Sequence, residues 1–297
     1  MPLLLTLKID KIFFRELNRA KKRFLELNDA ACHQRIESND SIKGRDLFKN
    51  LLEAKDPETG GKLTWKELTA EAGILVIAGG DTVATVMTTV LFYCLHHPSC
   101  MHRLQAEIRD AFADWEDIRA GDRLNSCHYL RACMDESMRL TPPVGASLPR
   151  ETLAGGLEVD GEHYPPGIDI GVPHYALHHN EEYYDNPFSF KPDRWIAEDN
   201  SSKSLRSSSA ASVARSNSAF CSFSVGRAAC IGKNLAYQEI SIVLARMFWK
   251  YDMRLQGSLG EGHKDLGQFR DRKEEYQTWE AFISVHQGPM VEFRRRN

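Results

Sequence analysis

The chain of 297 residues has no CxxC pair among its seven cysteines, Cys32, Cys94, Cys100, Cys127, Cys133, Cys221 and Cys230. Their odd number and irregular spacing exclude a disulfide scaffold and a structural zinc site, and they fit a reducing compartment. Excess charge is also lacking: the net charge is −3 and the pI about 6.4. Without a basic balance, no nucleic-acid partner is expected. No internal repeat occurs. The strand–helix alternation that a doubly wound sheet requires is missing too. The opening stretch, "MPLLLTLKIDKIFF", has no apolar run of signal-peptide or membrane-span length, because Lys8, Asp10 and Lys11 interrupt it.

What remains is mainly helical. Residues 11 to 55 carry apolar positions at helical spacing beside a charged, solvated face. "DPETGGKL", Asp56 to Leu63, is a turn-rich break. Thr64 and Glu67 then form a capping-box pattern that starts a helix able to run to His97 and Pro98. Within it, "AGILVIAGGDTVATVMTTVLFYCL" is long and apolar enough to cross a bilayer. Asp81 at its centre and two adjacent glycines oppose that reading. Shorter helices are expected around Cys100 to Trp115 and Cys127 to Leu140, the second stopped by "TPP". "LEVDGEHY" reads as two short strands joined by an Asp160-Gly161 turn. Residues 200–218, "NSSKSLRSSSAASVARSNS", read as a serine-rich surface loop. A last helix, "KNLAYQEISIVLARMFWK", and terminal strands ending at "GPMVEF" follow. The fold class expected is mainly α with a small β-sheet (α+β).

Three stretches carry chemistry. In "FSVGRAACIG", Phe223 to Gly232, Cys230 stands at the mouth of a helix, where free N–H groups and the helix dipole favour thiolate. Gly226 and Gly232 let the backbone approach a ligand closely. Such a thiolate can be a nucleophile or a ligand. With no Cys or His at metal spacing, a single axial thiolate to haem iron fits better than a site of several protein ligands. In "AGGDT", Ala78 to Thr82, Gly79 and Gly80 each cost about 1 kcal/mol in a helix interior relative to alanine. A flat ligand lying on the helix would use that room, although a helix-packing notch is the plainer explanation. Thr82 can bond a carbonyl one turn back and open a bulge, and Asp81 with Thr82 offers a carboxylate and a hydroxyl for proton delivery. In "DESMRL", Glu136 and Arg139 share one helical face. Alone they read as an ordinary surface ion pair; if Arg194 of "FKPDRW" reaches Glu136, the three make a partly buried network.

Taken in series, "AGGDT", "ESMR", "PDRW" and "FSVGRAACIG" resemble the haem-thiolate monooxygenases of the cytochrome P-450 family, and "CIGKNLAYQE" with "GPMVEF" resembles fungal microsomal members. The resemblance covers the chain from about residue 15 onward. It implies that Cys230 is the axial ligand of heme b iron. It makes Asp81 and Thr82 an acid–alcohol pair serving bound oxygen. Glu136, Arg139 and Arg194 become a structural triad behind the cysteine loop. Arg150 matches a propionate-binding position, Phe223 packs beside the thiolate, and Ala78, Gly79, Gly226, Arg227 and Gly232 line the cofactor. It further implies O2, a small apolar substrate, NADPH electrons through NADPH-cytochrome P-450 reductase, and the endoplasmic reticulum membrane. A tailoring step in fungal secondary metabolism is the family-level expectation.

Two departures stand out. The family pattern places arginine two residues before the cysteine; here Ala228 holds that position and Arg227 lies three before. The family's chains are also longer at the N-terminus, so this one reads as a single catalytic domain over residues 1–297, truncated before the anchor and first helices and without an anchor of its own. The alternative function is a truncated, non-catalytic fragment that binds haem without turnover or is unstable, and the missing anchor makes a cytoplasmic location the alternative to the endoplasmic reticulum.

Overall fold

A computed structural model describes residues 14–38, 46–197, 208–267, 270–279 and 281–296. The chain divides into two compact units, up to Gly80 and from Asp81 onward.

In the first unit, α1 (Arg15–Glu37) and α2 (Leu47–Glu53) accompany the opening turns of α3 (Trp65–His96). The α2 N-cap is Asp46, whose carboxylate accepts the Lys49 N–H at 2.7 Å and pairs with Arg35 Nε at 2.8 Å, satisfying a donor the helix leaves orphaned. The capping box at the head of α3 is made: the Thr64 N–H and hydroxyl both donate to Glu67 Oε2 at 2.8 Å. Asn28 Nδ2 donates to the Thr69 carbonyl at 2.7 Å, and Trp65 Nε1 to Asp29 Oδ1 at 2.9 Å. Gly73 lies at this contact: a Cβ there would stand in van der Waals contact with Asn28 Nδ2 at 3.4 Å and Phe24 Cε1 at 3.6 Å.

The second unit is built on the rest of α3 with α4 (Pro98–Ala111), the single turn α5 (Asp122–Asn125), α6 (His128–Leu140), α7 (His174–His178), α8 (Ala210–Ala219) and α9 (Lys233–Lys250). Val86, Val90, Phe92 and Cys94 of α3 are buried with Leu104 and Ile108 of α4, Leu130 and Met134 of α6, and Ile240, Leu244 and Phe248 of α9. Each such side chain contributes roughly 1.5–3 kcal/mol when removed from water. Among the described residues α3 alone passes the length and hydropathy test for a membrane span. Its second half nevertheless serves as a core helix. Thr85, Thr88 and Thr89 return their hydroxyls to the Asp81, Ala84 and Val86 carbonyls at 2.8, 2.7 and 2.9 Å, so polar side chains inside the apolar run are satisfied locally. No bulge opens at Thr82, and the helix is regular throughout.

Among the described residues the strands form four antiparallel pairs. β1 (Arg150–Glu151) pairs with β4 (Asp169–Ile170), and β2 (Leu157–Val159) with β3 (Glu162–Tyr164). β5 (Tyr251–Leu255) pairs with β8 (Val291–Arg295), and β6 (Thr278–Trp279) with β7 (Val285–His286). The β2–β3 turn places Asp160 at φ 52° and Gly161 at φ 83°, the left-handed pair that a two-residue hairpin of this sequence demands. The architecture is mainly α with small β elements. The serine-rich segment departs from expectation. Residues 198–207 lie outside the described residues, but 210–219 are helical rather than a loop. Ser209 caps α8 by accepting the Ser212 N–H at 3.2 Å, and Ser216 and Ala219 are buried on its inner face.

Candidate functional site

Two members of the triad, Glu136 and Arg139, stand three residues apart on α6. On α6 the pair faces inward, so it is no surface ion pair: both side chains are fully buried. Arg139 grips Glu136 bidentately, Nε to Oε2 and Nη2 to Oε1, each at 2.9 Å. The segment after α7 brings three further donors to the same carboxylate: Arg194 Nε at 3.0 Å, Trp195 Nε1 at 3.0 Å and the Lys191 N–H at 2.9 Å. The structure thus gathers Glu136, Arg139 and Arg194 into one network. Burial by itself pushes the Glu136 carboxyl up, but the guanidiniums and donated hydrogen bonds override it and hold it below its ordinary value. Arg139 Nη1 also donates to the His178 and Pro187 carbonyls at 2.8 and 2.6 Å, and Arg194 Nη2 to the Asp185 carbonyl at 3.2 Å. The network therefore fixes backbone as well as side chains.

Two links lead from this network to the cysteine loop, and sequence reasoning missed both. The Cys221 N–H donates to His178 Nε2 at 3.0 Å, so that nitrogen carries no proton and the ring is neutral. Burial, then the neighbouring Arg139 charge, lower the His178 pKa to about 3. On the other side Ser222 Oγ donates to the Met138 carbonyl at 3.2 Å. The third missed element is Asp135, which accepts from Tyr237 OH at 2.5 Å and Arg131 Nε at 2.8 Å, tying α6 to the first turns of α9. His178 had no signal in the sequence beyond its place in a His pair. Asp135 stood next to Glu136 but on another face of the helix.

The loop itself turns at Ser224, φ 57°, and Gly226, φ 71°. It closes where the Cys230 N–H donates to the Phe223 carbonyl at 2.8 Å. Phe223 lies 5.0 Å from the Tyr237 ring, centroid to centroid. Helix α9 starts at Lys233 with Gly232 as N-cap, so Cys230 sits two residues ahead of the cap. Its thiol is exposed, flanked by aliphatic side chains with no cover, Val225 at 73% and Ile231 at 99% exposure. A Cβ on Gly226 would meet nothing, and one on Gly232 only Cys230 Sγ, at 3.8 Å. These residues fit a flat apolar group approaching the sulfur.

The other residues singled out by sequence are placed separately. Asp81 is exposed, Thr82 is half-buried, and Ala78 and Gly79 are exposed on α3. A Cβ on Gly79 or Gly80 would meet nothing within 4 Å. Arg150 is exposed at the start of β1, and its side chain donates to its neighbours' carbonyls, Leu148 and Pro149, at 3.3 and 2.9 Å. Arg227 is exposed on the short 3-10 turn before Cys230.

The family model described as Cytochrome P450 matches residues 1–268. The chain belongs to the cytochrome P450 family. Membership implies haem with a thiolate ligand to iron. Among curated P450s the chain is 40% identical to the cytochrome P450 monooxygenase apf7 of Gibberella fujikuroi, an alignment covering all of this chain and 56% of that protein. It is 37% identical to the cytochrome P450 monooxygenase AKT7 of Alternaria alternata, covering 97% of this chain and 55% of the other. It thus spans about half the length of these P450 relatives. A crystal structure of a cytochrome P450 superposes with a TM-score of 0.73 at 20% identity, over 97% of this chain and 60% of that one; at that identity it shows the P450 fold.

Proposed function

We propose that this chain carries the oxygen-activating part of a haem-thiolate monooxygenase. The observation behind this reading is an exposed thiol on a small-residue loop, Phe223–Gly232, whose base is bonded to a fully buried ionic network. A ligand loop needs that combination: an open face toward the cofactor and a rigid back. Cys230 would hold the iron of heme b. Phe223, Gly226 and Gly232 would line the ring, and Arg150 and Arg227 would meet its propionates. When bound, the haem supplies O2 activation with the thiolate pushing electron density onto iron.

The chain's own residues do the rest. Arg139, held by Glu136, fixes the His178 and Pro187 carbonyls, Arg194 fixes that of Asp185, and His178 Nε2 in turn accepts the Cys221 N–H, which holds the base of the loop in place. Asp81, exposed to solvent, would exchange protons with water, and the Thr82 hydroxyl would relay a proton by accepting one as it releases its own. NADPH electrons would arrive through NADPH-cytochrome P-450 reductase, and the substrate would be small and apolar. The step would be a tailoring reaction in secondary metabolism at the endoplasmic reticulum membrane, as the family resemblance implies.

The test is spectroscopic. Haem-supplemented protein, reduced under carbon monoxide, should show the red-shifted Soret band of a thiolate ligand, and Cys230→Ser should lose it. No such band in the parent chain refutes thiolate ligation. A band without NADPH-dependent oxygen consumption in the presence of reductase supports haem binding without turnover instead.

A further inference from the structure

One turn beyond Asp81 and Thr82, the buried Thr85 hydroxyl faces two partners. The Asp81 backbone carbonyl lies at 2.8 Å and His286 Nε2, on strand β7, at 3.3 Å. The other ring nitrogen, His286 Nδ1, faces the Tyr276 hydroxyl at 3.0 Å. That hydroxyl also reaches the Gly288 carbonyl. Tyr276 is itself buried, with its ring 4.7 Å from Phe92 of α3 and its N–H on Tyr93 OH at 3.4 Å. The row therefore runs from one carbonyl to another: Asp81, Thr85, His286, Tyr276, Gly288.

Counting protons shows why it matters. Each hydroxyl has one to give, and a neutral imidazole has one N–H. If Nε2 carries the proton, it donates to Thr85, Thr85 donates to the Asp81 carbonyl, and Tyr276 donates to Nδ1. The Gly288 carbonyl is then left out. If Nδ1 carries the proton, it donates to Tyr276, Tyr276 donates to Gly288, and Thr85 must turn to Nε2. The Asp81 carbonyl then loses the hydroxyl. Each tautomer satisfies three of the four contacts. Burial lowers the His286 pKa and raises that of Tyr276, which keeps the ring neutral and the phenol protonated, so these two arrangements are the ones available.

We propose that His286 is a positioning residue for the Asp81–Thr82 turn, its tautomer deciding whether the Thr85 hydroxyl occupies the Asp81 carbonyl. A threonine hydroxyl on the carbonyl four residues back shares that oxygen with the helical N–H and weakens the helical bond to it. That oxygen belongs to the turn that presents Asp81 and Thr82. The proton-delivery role of that pair rests on the function proposed above; the hydrogen-bond row does not.

The test labels histidine with nitrogen-15 in the full chain, with and without haem, and reads the two ring nitrogens of His286, assigned by their loss in His286→Asn. Tyr276→Phe removes the Nδ1 partner and should drive the ring to the Nε2–H form, with faster exchange of the Thr85 amide. Thr85→Val removes the Nε2 partner and should drive it to the Nδ1–H form, with slower exchange at residue 85. His286→Asn, which cannot reach Thr85, should behave like Tyr276→Phe in amide exchange, and serves if either of the others fails to fold. Ring nitrogens unmoved in both variants would overturn the proposal, and so would shifted nitrogens with unchanged amide exchange. Because the shifts are read without haem as well, absence of the thiolate Soret band would sink the haem assignment while these shifts still decide the tautomer relay.

Discussion

Glu136→Gln is the sharpest perturbation of the buried network. The substitution keeps the shape of the side chain and removes its charge. In the native arrangement one carboxylate receives five hydrogen bonds, three of them from Arg139 and Arg194. Glutamine offers one acceptor oxygen and an NH2 group that would point at guanidinium or indole donors. Both arginines are nearly or fully buried, so their charges would be left without a counterion. Removing one partner of a buried ion pair costs about 3–5 kcal/mol, a large part of the roughly 5–15 kcal/mol that holds a typical protein folded. At an m-value of about 3 kcal/mol/M the urea midpoint should fall by about 1–1.7 M. The pH dependence gives a second handle. The folded Glu136 pKa lies below its ordinary 4.5, so the unfolded chain takes the proton first as pH falls. The stability from this carboxylate is complete above pH 4.5 and is lost as pH drops through the folded value. Asp135 acts in the opposite sense, because burial holds its pKa above the ordinary 3.8. The parent-minus-variant difference isolates Glu136 and should shrink on acidification below pH 4.5. Chemical denaturation followed by circular dichroism measures this directly. A loss under 1 kcal/mol at pH 7, or a difference that does not depend on pH, would show that the network does not brace the fold.

Two further outcomes are expected. Tyr237→Phe deletes the hydroxyl donor of Asp135 and leaves that carboxylate with Arg131 alone; a loss of about 1.5–3 kcal/mol is expected in the same denaturation assay, and an unchanged midpoint would mean the short contact contributes nothing net. Exchanging Arg227 and Ala228 restores the family's arginine position two residues before Cys230, and haem transfer to apomyoglobin should slow by about 10- to 150-fold if one charge-assisted hydrogen bond is regained; equal transfer rates from both proteins would show that the displaced arginine is of no consequence for haem retention.

Local chemistry made much of this molecule legible from residues alone. The Thr64–Glu67 box, the Asp160-Gly161 turn and the periodicity of "KNLAYQEISIVLARMFWK" each fix a few backbone angles through neighbours in the chain. The corresponding elements therefore lie where the pattern put them. The serine-rich segment misled for the converse reason: composition favours a loop, but a Ser209 cap and one buried face suffice to make residues 210–219 helical. Sequence also supplied the triad's members, yet not its character. Glu136 and Arg139 at i and i+3 look the same on a wet helix as on a buried one. Only the packing that removes water from α6, and the return of Lys191, Arg194 and Trp195 from more than fifty residues away, turn a weak pair into a five-bond network. The His178 bridge to Cys221 and the His286 row were beyond reach altogether. Hydrogen bonds between residues 43 and 201 positions apart have no periodic signature, and which nitrogen of a ring carries a proton is settled by the neighbours that tertiary structure puts beside it.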